Sequence, residues 1–254
     1  MAEFDLNQYI MHHVLNSREW HLPFLPPIHL PGFLMLHGLM LLICAVFLVL
    51  LFCVIYKKGP GAPTGITNAL EAFVVFIRDE ICTACLGEED GRKMTPLFCT
   101  FFFFILGLNL MGLIPAFATP TSNINVAGAL ALVTLCFMIG GSIHKNGLSG
   151  FFHALKPSGV PVPILILIIP IEFFGLFIKA LALTIRLFAN MLAGHIVIFA
   201  LLGLVVILGA VAVVPAIALA IFIYMLELFV AFLQAYIFTL LSAVFIGQMY
   251  HPEH

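Results

Sequence analysis

Five ionisable side chains, tyrosines apart, stand in the otherwise apolar 88 residues from Val162 to Met249: Glu172, Lys179, Arg186, His195 and Glu227. Positions seven apart on an α-helix return to within about 20° of the same direction. Glu172, Lys179 and Arg186 therefore form one stripe, and Asn190 lies a turn further along it. All four can face one neighbour or one cavity.

A second polar face follows on the next apolar stretch, where Glu227 and Gln234 are again seven residues apart. Two polar stripes of this kind can face each other. His195 stands nine residues after Arg186 and points about 180° away from it on a straight helix. The histidine is therefore expected to serve a different surface from the arginine.

The chemistry open to these groups is ion transfer. A charged residue at mid-membrane costs about 2.5 to 3.5 kcal/mol, so three on one helix need water or partners. Arg186 cannot neutralise itself and indicates function, whereas His195 and Glu227 can take up and release protons, as a relay requires. Glu172 and Lys179 could equally pair or snorkel, and Asn190 and Gln234 could equally serve as interhelical hydrogen-bonding groups.

The elements that must position these residues are membrane helices. Of the 254 residues, 63% are hydrophobic and 9% charged, unlike a soluble domain. Charge-free runs at 33–56, 97–118 and 123–143 exceed the roughly 20 helical residues that cross about 30 Å of hydrocarbon. Lipid-exposed backbone must satisfy its own hydrogen bonds, and the runs do not alternate as barrel strands do. We predict an all-α polytopic protein in a lipid bilayer.

We predict a single membrane domain over residues 1–254. It comprises an external segment (1–32), a first span (33–56), a cytoplasmic interfacial segment (57–96), a helical hairpin (97–143), a cytoplasmic loop (144–161) and the apolar region 162–250. The mixed apolar and charged residues of 57–96 are typical of a helix lying at the membrane surface. Region 162–250 fits either four ordinary crossings or fewer, longer, tilted helices broken near 203–215.

Most basic residues fall on one side of this topology. Seven of the ten lysines and arginines flank the first three spans there: Lys57, Lys58, Arg78, Arg92, Lys93, Lys145 and Lys156. Arg18 alone lies opposite. The positive-inside rule predicts an external N-terminus and a cytoplasmic C-terminus. The first residues lack the basic region of a signal peptide, and without a transit peptide we expect a bacterial inner membrane.

Other signals are weak. Cys82 and Cys85 form one C-x-x-C pair without a second, and the histidines at 12, 13, 21 and 29 lack accompanying cysteine or carboxylate spacing. We therefore expect no metal site. Phe101 to Phe104 are expected to face lipid. No phosphate-binding loop, nucleophile elbow or nucleic-acid patch is present, so we expect no cofactor, no nucleic-acid partner and no active site within this chain.

Several motifs then carry a resemblance that covers essentially the whole chain. These are "MHHVLN" (11–16), "NLMGLIP" (109–115), "TSNINVAGALAL" (121–132), "IRLFANMLAGH" (185–195) and "ELFVAFLQAYIFTLLSAVFIGQ" (227–248). Together they resemble the a subunit of F-type ATP synthases, a family of the membrane Fo sector also known as the ATPase A chain.

The resemblance implies a stationary proton-channel subunit of a rotary motor. It would offer two aqueous half-channels to a rotating ring of c subunits and would assemble with the b subunits of the peripheral stalk and the remainder of the synthase. Arg186 matches the family's essential arginine, which draws a ring carboxylate into its ionised state and blocks leakage between the half-channels. Asn190 and Gln234 match polar residues near that arginine.

Further positions are implied in the same way. His195 and Glu227 match two positions that relatives fill with an interchangeable acid and histidine, and by the family's layout they line the external half-channel. Glu172 and Lys179 match polar positions further back on the same helix. Asn109 and Asn125 match family asparagines, whereas Gly112 replaces an aspartate found in some relatives. The family also implies a hairpin of long, tilted helices against the ring for residues 162–250.

Two other classes compete with this reading. A self-contained proton- or sodium-coupled secondary transporter also carries intramembrane charges, but it should show an internal repeat, and none is evident. A membrane anchor for another complex leaves Arg186 without an explanation. Co-purification with an oligomeric proteolipid and a peripheral ATPase separates the leading hypothesis from both.

Overall fold

The computed structural model describes residues 19–20, 28–30, 35–55, 65–114, 117–156 and 161–251. The predictions that concern residues 1–18, the motif at 11–16, His21, Lys57 and Lys58 lie outside these ranges. Within them the fold is helical, which confirms the all-α fold class. The extended residues are Glu19–Trp20 (β1) and Ile28–His29 (β2), which pair antiparallel.

Seven α-helices follow in chain order: α1 (Leu36–Leu50), α2 (Ile66–Phe76), α3 (Ala84–Gly112), α4 (Ile124–Cys136), α5 (Ser142–Ala154), α6 (Val162–Leu208) and α7 (Ala210–Tyr250). Wider π-type turns continue α1 through Leu51–Ile55, join α2 to α3 through Ile77–Thr83 and join α4 to α5 through Phe137–Gly141. A short 3₁₀ turn, Pro120–Ser122, precedes α4. Joined in this way, the helices form five stretches long and apolar enough to cross a membrane in the described part of the chain. The chain is a multi-pass membrane protein.

The long apolar region forms two helices rather than four. Helix α6 has 47 residues and α7 has 41. Gly209 separates them with a φ of 67°, a left-handed conformation that glycine adopts without strain. At 1.5 Å per residue each helix is about 60 to 70 Å long, roughly twice the thickness of the hydrocarbon core. Hydropathy left two alternatives open for this region, and the structure has the fewer, longer helices, separated within 203–215. Their tilt and their position against a ring stay predictions.

The chain divides into two compact units. The first unit contains Met1–Leu48, Phe104–Ala127 and Arg186–Ala235, and the second contains Val49–Phe103, Gly128–Ile185 and Tyr236–His254. In the first unit, Leu36, Met40 and Ala118 form a buried cluster against which Trp20 and Phe117 pack.

The phenylalanine run at 101–104 departs from the sequence prediction. Phe101, Phe102 and Phe103 lie in the second unit and are buried. Phe73 of α2 covers Phe102 at a centroid distance of 5.8 Å, and Phe238 of α7 covers Phe101 at 5.6 Å. The expectation that these three rings face lipid is wrong, because neighbouring helices supply aromatic partners that composition alone does not reveal.

Candidate functional site

Arg186 lies on α6 at the beginning of the first unit's portion of that helix. Its side chain is exposed and forms no ion pair or hydrogen bond with any residue that the structure describes. Ala189 and Ala193, three and seven positions later on the same face, are also exposed. Small side chains at these spacings let another helix approach the backbone closely. The permanent charge of Arg186 is therefore presented on an open, sterically shallow surface.

Glu227 of α7 lies against α6 at Gly194. A Cβ atom built on Gly194 would stand 2.0 Å from Glu227 Oε1, so the carboxylate occupies the space that any side chain at 194 would fill. Glu227 Oε2 is buried and forms no hydrogen bond within the described chain. His195 is the next residue along α6. The structure therefore brings Glu227 next to the backbone beside His195, joining two predicted site residues that are 32 positions apart in sequence.

His195 is half-buried, and its Nε2 shares a hydrogen bond with Thr119 Oγ1. Thr119 lies before the 3₁₀ turn and is 3% exposed. The chain leaves room for Thr119 at Gly112, where a Cβ atom would stand 2.6 Å from Thr119 Cγ2. Gly112 is thus the surface against which Thr119 packs.

The same turn, residues 119–123, binds polar groups from two further helices. Thr121 Oγ1 donates to Asn109 Oδ1 of α3 at 2.9 Å, and Asn109 Nδ2 lies 3.5 Å from the Ala231 carbonyl of α7. Asn123 Nδ2 lies 3.0 Å from His37 Nδ1 of α1. Sequence reasoning predicted Asn109 and a short hairpin connection here, but it missed His37 and the polar contacts that the connection makes. The signal was present in the run of small polar residues that joins two apolar spans.

The remaining predicted residues of the first unit differ in their surroundings. Gln234 is 5% exposed, and its Nε2 forms no hydrogen bond within the described residues. Asn190 is half-buried on α6. Asn125 is exposed, and its backbone N–H donates to Asn123 Oδ1 at 2.9 Å. Of these three, the buried Gln234 lies two turns along α7 from Glu227 on the same helical face.

Glu172 and Lys179 lie in the second unit. Lys179 Nζ donates to Gln248 Oε1 at 3.0 Å and lies 5.3 Å from the centre of the Phe245 ring. Glu172 is exposed. Both residues line a cavity of about 870 Å³ whose polar lining also includes Lys156, Gln248 and His251. Lys179 thus pairs with an amide of α7, and no ion pair joins it to Glu172.

The comparisons with known proteins decide the family. The family model described as "ATP synthase A chain" matches residues 38–247. The chain belongs to the ATP synthase A chain family.

Individual relatives of this family cover most of the chain. It is 44% identical over 259 residues to "ATP synthase subunit a" of Chloroherpeton thalassium, covering 96% of this chain and 77% of the relative. Identity to "ATP synthase subunit a" of Pelodictyon phaeoclathratiforme is 45% over 273 residues, covering 100% of this chain and 80% of the relative. The corresponding protein of Anaeromyxobacter dehalogenans is 47% identical over 215 residues, and the match spans 83% of this chain and 56% of that relative.

In this ATP synthase A chain family member, a charged cluster ties three parts of the second unit together. Lys145 of α5 pairs with Asp90 of α3, and Lys145 Nζ lies 3.2 Å from His251 Nε2. His251 Nε2 also lies 2.9 Å from the Leu86 carbonyl oxygen. The beginning of α3, the first turn of α5 and the end of α7 therefore meet at one place. Three basic or acidic segments far apart in sequence share one end of the second unit.

Proposed function

We propose that the chain is the stationary proton-channel subunit of an F-type ATP synthase. As a member of the ATP synthase A chain family it is part of the Fo sector. The observation that supports a channel role most strongly is the position of Glu227 against Gly194, beside His195. Two groups that exchange protons stand at one level of the first unit, on different helices.

The surroundings of Glu227 suit a carboxyl group that binds and releases a proton. Glu227 Oε2 is buried and forms no hydrogen bond within the described chain. An unpaired carboxylate oxygen inside the protein can accept a hydrogen bond from a proton donor that is brought within reach. The half-buried His195 can exchange protons with such a group, directly or through one water.

Arg186 has a separate part in this proposal. Its exposed guanidinium, flanked by Ala189 and Ala193, suits a partner helix that carries a carboxylate in the membrane. We infer that this partner is the ring of c subunits, whose passing carboxylates are ionised by the arginine. Gln234 and Asn190 supply polar neighbours, and the apolar faces of α6 and α7 lie against the ring as strongly tilted helices.

The orientation follows from charge. The end of the second unit that carries Asp90, Lys145 and His251 also carries Arg92 and Lys93, which follow Asp90 in sequence, and Lys156, which lines a cavity together with His251. We propose that this end faces the cytoplasm, that the N-terminus is external, and that the membrane is a bacterial inner membrane. The cavity lined by Glu172 and Lys179 would then open on the cytoplasmic side. The b subunits of the peripheral stalk would hold the chain stationary.

An exchange of the two proton-carrying residues tests the relay. His195→Ala and Glu227→Gln should each reduce proton-driven ATP synthesis in membrane vesicles by about 10²- to 10⁴-fold, the contribution of a positioned acid–base group. The double variant His195→Glu with Glu227→His keeps one acid and one histidine and should recover part of the rate. Full activity in both single variants would contradict the relay.

The partners are tested by purification. Solubilised in mild detergent, the chain should co-purify with a small oligomeric proteolipid and a peripheral ATPase. A chain that runs alone or as a homo-oligomer while actively transporting ions would instead favour a secondary transporter.

A further inference from the structure

We propose that Thr119 is the positioning residue for His195, holding the imidazole in place in both of its protonation states. The proposal deepens the proposed function and rests on it. It starts from three contacts within the first unit. Thr119 Oγ1 shares a hydrogen bond with His195 Nε2, Thr119 packs on the bare Cα of Gly112, and Glu227 lies beside Gly194. The hydrogen bond joins residues 76 positions apart.

A hydroxyl partner has a property that other partners lack. Its oxygen can donate a hydrogen bond to Nε2 of a neutral imidazole, or accept one from the Nε2–H of an imidazolium, because the hydroxyl hydrogen rotates. A backbone carbonyl could only accept, and a carboxylate would favour the charged ring. Thr119 therefore orients the ring throughout a cycle of proton uptake and release without fixing its charge.

The surroundings keep this hydroxyl in place. Thr119 is 3% exposed, and the Ser122 side chain donates to the Thr119 carbonyl at 2.7 Å. On the opposite side, a Cβ atom at Gly112 would stand 2.6 Å from Thr119 Cγ2 and 2.7 Å from Oγ1. The residue cannot move toward α3, and its backbone is tied to the turn. A restrained hydroxyl is what an orienting role requires.

The ionisable groups around His195 define what a pH profile would report. Glu227 lies across Gly194 on α7, and Arg186 lies on the same helix as His195, nine residues earlier. The turn itself carries no ionisable side chain, and His37 of α1 binds it through Asn123.

The test uses the assembled synthase in membrane vesicles and compares Thr119→Val, which keeps the shape, with Thr119→Ser, which keeps the hydroxyl. ATP-driven proton uptake is measured as a function of pH. We expect the valine variant to be about three- to tenfold slower, the range that corresponds to one hydrogen bond. Its pH midpoint should differ from that of wild type, because the hydroxyl does not bind the neutral and the charged ring equally strongly. The serine variant should stay within about twofold of wild type.

A matched control separates positioning from packing. Thr134 is likewise fully buried and shares a 3.0 Å hydroxyl hydrogen bond with Ser242 in the second unit, so Thr134→Val removes a similar bond away from His195. Its pH profile should superimpose on that of wild type. Equal midpoint shifts in the two valine variants, or none in either, would overturn the proposal.

Two further variants keep the outcome decisive. If Thr119→Val does not assemble, Gly112→Ala displaces the threonine with its added Cβ atom and should give the same midpoint shift; an unshifted profile would contradict the proposal. Arg186→Ala reports on the proposed function separately. Loss of transport in that variant together with an unaltered Thr119→Val profile would refute the positioning role alone.

Discussion

Replacing Gly194 by alanine should separate folding from transport, because the three atoms nearest to the added Cβ atom in the described chain all belong to the Glu227 side chain. The added Cβ atom would stand 2.0 Å from Glu227 Oε1, whereas real Cβ contacts stay beyond 3.0 Å. The carboxylate must therefore retreat by at least about 1 Å. It stands at the end of a flexible side chain and can do so without moving α6.

The expected stability change is small. Overpacking costs about 1 to 3 kcal/mol when neighbours are rigid. Here the neighbour is the carboxylate end of the flexible Glu227 side chain, which can move away. Alanine in place of glycine within a helix gains about 0.5 to 1 kcal/mol. The net change should stay within about 1 kcal/mol, and the synthase should assemble. Misplacing a reacting group by 1 Å can cost about 10²-fold in rate, so proton-driven ATP synthesis should fall by about ten- to a hundredfold.

The assay is ATP synthesis by vesicles under an imposed proton gradient, normalised to the amount of assembled complex. Gly128→Ala is the matched control, because its Cβ atom would stand 3.7 Å from Thr184 Cγ2, an ordinary contact; it should behave as wild type. Adding Glu227→Asp to Gly194→Ala shortens the acid by one methylene and should restore part of the rate. A fully active Gly194→Ala variant would refute the placement of Glu227 in the proton path.

Two further predictions concern stability. Thr121→Val removes the hydrogen bond to Asn109, and both residues are fully buried. The free energy of unfolding of the assembled complex should fall by about 1 to 3 kcal/mol, because a buried amide oxygen loses a partner. An unchanged melting temperature would show that this contact is not formed. Asp90→Asn removes the charge paired with Lys145, whose side chain is 30% exposed. The free energy of unfolding should fall by at most about 1 kcal/mol, and the decrease should be smaller in high salt. A decrease that does not depend on salt would argue against an electrostatic cause.

Much of the fold could be predicted because hydropathy and helix length are local properties. The break at Gly209 lies where the sequence changes to glycine and proline within an apolar run. The phenylalanines at 101–103 were assigned to lipid wrongly, since an apolar residue looks the same whether a helix or a lipid chain covers it. Burial against Phe73 and Phe238 depends on tertiary packing that no local pattern contains.

The same difference between local sequence properties and tertiary contacts separates the site residues that could be predicted from those that could not. Arg186, His195 and Glu227 were found because charge is costly in apolar sequence. Thr119 and Gly194 were missed because neither is unusual in composition. Thr119 matters through a contact with a residue 76 positions away, and Gly194 matters through the side chain that it lacks. Only coordinates reveal roles of that kind.

The charge of Arg186 offers the most direct test of the proton-channel proposal. Arg186→Ala and Arg186→Lys are assembled into the synthase, and proton-driven ATP synthesis and passive proton leakage are measured in the same vesicles. The alanine variant should lose synthesis entirely, and the lysine variant should be severely impaired because an ammonium covered by the proposed ring would lose its water and can deprotonate. ATP synthesis at the wild-type rate by an assembled Arg186→Ala complex would contradict the proposal.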